Sequence, residues 1–126
     1  MATIAFDTSD DFIKNRSTYI TWTDLTSGDD GAPLQFAGHA DKTLQVFGVF
    51  SGGTLVFEGS NDPRVETDSG NAVWFTLNDM QTLPLSKTSA GGDLIVENPR
   101  YMRPKVTGGD GSTAITVILA CKMVGR

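Results

Sequence analysis

Helical periodicity is nearly absent from this chain, and that absence is the tightest constraint on its fold. No stretch of eleven or more residues places apolar side chains at i, i+3, i+4 and i+7 without interruption by Gly, Pro or β-branched clusters. The best helical candidate, residues 10–15, offers a turn or two. Strand signals recur instead. Residues 18–23 are almost wholly β-branched or aromatic and end in the turn-forming run Ser27-Gly28-Asp29-Asp30-Gly31. Residues 43–50 and 54–58 flank Ser51-Gly52-Gly53, which supplies the positive φ of a tight turn, so they read as a β-hairpin whose second arm stops near Ser60, ahead of Pro63.

Residues 72–77 read as a fourth strand, with Val73, Phe75 and Leu77 on one face and Trp74 and Thr76 on the other. Leu83-Pro84-Leu85 suits a short edge piece, and residues 93–97 another strand. Pro99 and Pro104 bracket residues 100–103 and each removes a ladder donor, which suggests an extended edge segment. The turn Gly108-Gly109-Asp110-Gly111-Ser112 leads into residues 113–123. There Ile115, Val117, Leu119 and Cys121 share one face and Ala114, Thr116, Ile118 and Lys122 the other, the pattern of a largely buried central strand. Seven or eight short strands with turns about every 8–12 residues describe an all-β, single-domain antiparallel sandwich or barrel. Residues 1–16 are expected to be a partly extended N-terminal arm and residues 17–126 the domain.

A length of 126 residues suits one domain, and ten Lys plus Arg against fifteen Asp plus Glu give a net charge of -5. That sign disfavours direct nucleic-acid binding. A single histidine (His39) and a single cysteine (Cys121) exclude an internal disulfide and the usual Cys/His zinc sites. The expectation is a binding or structural protein, not an enzyme, with no cofactor or metal. The first residues lack a basic and then apolar leader, and no run approaches eighteen apolar residues. A chain made without a cleaved secretory signal and with no membrane contact is expected.

Few residues invite a chemical role. His39 lies beside Ala40-Asp41 but near no recognisable nucleophile motif, so it reads as a loop or interface residue. Cys121, in phase with Leu119, reads as a packed thiol. Asp29-Asp30-Gly31 and Asn61-Asp62 lack EF-hand spacing and read as turn carboxylates, and the 108–111 glycines lack the Lys-Ser/Thr of a phosphate loop. Arg100, Arg103 and Lys105 form the one concentration of positive charge. Alternation puts Tyr101, Arg103 and Lys105 on a common face, either a solvated strand face or a contact with carboxylates of a subunit or ligand. The arm, with Phe6 and Phe12, has too few apolar residues to fold alone and is expected to drape over a neighbour. Trp22 and Trp74, with Tyr19, suit either core packing or stacking on sugar rings.

Three segments carry a resemblance: Gly53-Thr54-Leu55-Val56-Phe57-Glu58-Gly59-Ser60-Asn61-Asp62, Trp74-Phe75-Thr76-Leu77-Asn78-Asp79, and residues 97–109 with Pro99-Arg100-Tyr101-Met102-Arg103-Pro104 at their heart. Together they resemble small β-sandwich structural proteins of tailed bacteriophages. The resemblance implies a jelly-roll-like capsid decoration or cement protein, a homo-oligomer with a trimer favoured, that binds the major capsid protein on the outside of the virion after assembly in the host cytoplasm. A related head or tail accessory role is the near variant. The same pattern is similar to galactose-binding-like jelly rolls, which implies the alternative of a carbohydrate-binding module for host-glycan adhesion. The chain departs from that pattern at Pro63, where a glycine is usual, and in a tryptophan that lies twelve residues beyond Asp62.

Overall fold

The computed structural model describes residues 2–11, 17–35 and 41–122, with side chains for all of these except 9–11, 17 and 122. Its strands run in order as β1 (Thr3–Ile4), β2 (Phe6–Asp11), β3 (Ser17–Leu25), β4 (Asp30–Gly31), β5 (Leu34–Gln35), β6 (Asp41–Val49), β7 (Gly53–Ser60), β8 (Phe75–Thr76), β9 (Ser86–Lys87), β10 (Gly91–Ile95), β11 (Tyr101–Gly108) and β12 (Ala114–Lys122). A short helix, α1 (Arg64–Thr67), and a 3-10 turn, Ser69–Asn71, separate β7 from β8.

These strands form two sheets. One has the order β10-β6-β12-β3-β2 with all neighbours antiparallel. The other has the order β1-β4-β11-β7-β8, with β5 also on β11 and β9 also on β7. From β3 onward the chain crosses repeatedly between the sheets: β3, then β4 and β5, then β6, then β7 to β9, then β10, β11 and β12. This is the jelly-roll path, two interlocked Greek keys. Eight strand positions, two of them split into halves, together with β1 and β2 account for the twelve strands where seven or eight were expected.

The alternation of β12 is as the sequence implies. Ile115, Val117, Leu119 and Cys121 are fully buried, and β12 lies between β6 and β3. Burial pushes the Cys121 thiol up to about 12, so it stays protonated in the core. Lys42, directly opposite on β6, is in phase with Leu44 and Val46 and is buried with them. Its ammonium donates to Asn98 Oδ1, and burial lowers its pKa. The other sheet contributes Leu55, Phe57, Met102 and Val106 to the same core.

Trp22 sits at the centre, wholly buried, edge-on to Phe6 at 5.6 Å and to Phe57 at 6.0 Å, and its Nε1 donates to the Ala32 carbonyl at 3.2 Å. The backbone passes so close that a Cβ on Gly31 would lie 2.6 Å from the indole and from Pro104. Glycine is the residue that permits this approach.

Four local expectations are corrected. Residues 43–50 and 54–58 are not a hairpin: Ser51 (φ 47°) and Gly52 (φ 82°) do make a tight turn, but β6 and β7 enter different sheets because each buries its own apolar face. β11 is not an edge strand, since it pairs with β7 along its whole length and with β4 and β5 on its other side. Val106 N donates across that other side to Asp29 O, and alternate N–H groups point the same way, so Pro104 turns its missing donor toward the gap between β4 and β5. The ladder is already broken there, at Ala32-Pro33. In the 72–77 segment only Phe75–Thr76 is strand, and Val73 and Phe75 are exposed while Leu77 is buried. Residues 10 and 11 lie in β2, not in a helix; the rest of that helical candidate lies outside the described residues.

Candidate interaction surfaces

The three motif segments meet on the outer face of the seven-stranded sheet. Antiparallel register places Arg103 of β11 opposite Glu58 of β7, with Asp30 of β4 on the other flank. Arg103 Nε lies 3.0 Å from Glu58 Oε1 and its second guanidine nitrogen 3.1 Å from Asp30 Oδ2, all three side chains being only about one-sixth exposed. The guanidinium also sits 4.1 Å from the centre of the Trp74 ring. One cation thus meets two carboxylates and an aromatic face.

The Ser60-Asn61-Asp62 corner fastens the excursion that carries α1. Ser60 Oγ donates to the Val73 carbonyl at 2.7 Å, and Asn61 Oδ1 accepts from Arg100 N at 2.8 Å. The Asp62 carboxylate accepts from the Arg64 side chain and backbone and from Val73 N. The Arg64 guanidinium, chiefly, holds this carboxyl well below the usual range. Tyr101 donates its hydroxyl to Glu66 of α1, and that bond, with burial, raises its pKa.

Below the excursion runs a cleft of about 440 Å3 lined by Thr3, Asp30, Val65 and Arg103 among others. It adjoins a smaller one of about 210 Å3 between Gln35, Glu66 and Tyr101, the two sharing Pro33 and Val65. Among the described residues no group of three or more His, Cys, Asp or Glu is arranged to hold a metal, and no helix is long and apolar enough to cross a membrane.

The expected contact cluster is therefore divided. Tyr101, Arg103 and Lys105 do share the outer face, but Tyr101 is 2% exposed and bound to Glu66, and Arg103 is consumed by its own Glu58 and Asp30. Arg100 is exposed, near Glu66 at 3.8 Å, and Lys105 is half-buried and in no ion pair among the described residues. Phe6 is not free to drape over a neighbour. It packs on Trp22, and the strand that carries it pairs with β3. Trp22, expected as one of two sugar-stacking rings, is core and unavailable, while Trp74 is half-buried with Arg103 against it. Phe12 and His39 lie outside the described residues.

The sequence reading missed Glu58, Asp30 and Glu66. Their partners lie 45, 73 and 35 residues away, and no local pattern joins them.

Asp29, at the head of β4, accepts from Thr26 N at 2.9 Å, Thr26 Oγ1 at 2.8 Å and Ala2 N at 2.9 Å. Burial raises its pKa, but these hydrogen bonds more than offset that and hold it below the ordinary 3.8.

No protein-family model matches the chain, and no curated protein matches it. Among solved structures, the SPBc2 prophage-derived protein YomS is similar over 83% of this chain and 93% of its own, with a TM-score of 0.59 and 12% identity. That likeness is one of fold. The iron(II) form of HppE in complex with substrate matches 84% of this chain and 42% of its own length, with 13% identity and a TM-score of 0.36.

Two outcomes are expected. Arg103→Met leaves the Glu58 and Asp30 carboxylates facing each other with little water, and in urea unfolding it should cost about 1–3 kcal/mol, more than Glu58→Gln. Because the folded pKa of Asp29 is depressed, its contribution is present above about pH 4 and lost as the pH falls below that. The urea midpoint should accordingly fall less steeply between pH 5 and pH 2 in Asp29→Asn than in the parent.

Proposed function

We propose that this protein is a bacteriophage virion component, a capsid decoration protein that binds the outside of the shell and bridges neighbouring major capsid subunits. The observation that carries the reading is the jelly-roll path, which over 83% of this chain is similar in fold to a prophage-derived protein. The chemical inventory supports it. The motif residues that drew attention in the sequence are occupied in holding β4, β7, β11 and α1 together, which suits a part that acts by burying area. The physical logic is linkage: a ligand that binds only the assembled shell stabilises that state by mass action and opposes its opening. Arg100 and Lys105, the two members of the cationic cluster not committed to a close internal pair, are the contacts assigned to the shell.

Shells of the cognate phage, stripped of this protein and sedimented with it, should retain it saturably. Arg100→Glu with Lys105→Glu should weaken retention tenfold or more at low salt without altering the thermal unfolding of the free protein. Absence of any retention overturns the proposal. Binding to glycans that Trp74→Ala abolishes would replace it with an adhesion role.

A further inference from the structure

The two outer faces of the sandwich differ. That of the seven-stranded sheet carries Arg103, Lys105, Glu58 and Asp30. The outer face of the five-stranded sheet carries Tyr19 (36% exposed), Phe47 (40%), Val49 (54%) and Leu94 (39%), with Gln45 and Ile118 between them. Among the described side chains its interior holds no charge. Asp7 lies on edge strand β2, Asp24 at the bulge of β3, and Asp41 at the end of β6. In a chain one-fifth charged, a solvated sheet face of this size would ordinarily carry several charges.

We propose that this face is the interface between two copies of the chain, packed sheet on sheet. Five strands ~4.8 Å apart and eight residues at ~3.4 Å give a face of roughly 650 Å2, within the ~600–1,000 Å2 that each partner of a specific complex buries. A two-fold axis parallel to β12 sets β3 of one copy over β6 of the other and β2 over β10. Pairing registers fix what then meets. Thr21, Ile118 and Gln45 form one row, with Asp7 and Gly92 at its ends, so Gln45 faces Thr21, Ile118 faces its own copy and Asp7 faces Gly92. Asp24 comes over the Phe47 end of β6, and Asp41 over the start of β3. Among the described side chains no rim carboxylate opposes another, and Lys122, in phase with Ile118 at the end of β12, falls on the axis in register with Asp41 of its own chain. The inference stands independently of shell binding.

Sedimentation equilibrium of the free protein tests it. The parent should show twice the 13.5 kDa chain mass at micromolar concentration. Gln45→Lys and Thr21→Glu, each placing a charge on the neutral row, should each be monomeric under the same conditions. An equimolar mixture of the two should regain the dimer, because the new lysine and glutamate then face each other. That recovery also shows both variants to be folded. A parent that stays monomeric to about 1 mM, a stable assembly of another order, a dimer indifferent to Gln45→Lys, or variants that do not recover on mixing would each overturn the proposal.

Discussion

Arg103 is the residue on which the seven-stranded sheet converges. Its guanidinium draws on Glu58 of one neighbouring strand, Asp30 of the other and the ring of Trp74, while the strand that carries it sends Met102, Pro104 and Val106 into the core. Each carboxylate alone in so sheltered a position would be costly, and the cation makes both tolerable. The Ser60-Asn61-Asp62 corner and the Tyr101–Glu66 bond then fasten the α1 excursion over the same strand and form the clefts beneath it. Beneath this layer, the core closes around Trp22, which Gly31 admits by lacking a side chain.

How legible this was depends on the range of the interaction concerned. Period-two burial is local, so the inward set of β12, the end of β7 near Ser60 and the burial of Cys121 follow from the residues themselves. The same alternation would place Lys42 inward. Which strands pair is not local. Residues 43–58 look like a hairpin because two strand runs flank a left-handed turn, yet the turn residues are equally suited to handing the chain from one sheet to the other. Pro104 suggests an edge, and what overrides that is a break in a partner strand some seventy residues earlier in the chain. The cationic cluster shows the same limit: the common face of Tyr101, Arg103 and Lys105 is readable, but the acids that claim two of them are not.

The division of the surface follows from these commitments. One face is charged but internally satisfied, with Arg100 and Lys105 left at its margin, and the interior of the other carries no charged group among the described side chains. Such a molecule is suited to making contacts on both sides at once, with its own kind and with a larger assembly, and to contributing stability only where both are made. The poverty of the chain in histidine and cysteine is in keeping with that role, in which geometry and buried area replace chemistry.

Stabilisation of an assembled shell is the proposed role of this jelly roll. Scanning calorimetry of stripped shells, alone and with saturating protein, measures that directly. The account requires the shell-opening transition to move upward by several degrees and in proportion to occupancy. A transition unmoved at full occupancy, or moved downward, would contradict it.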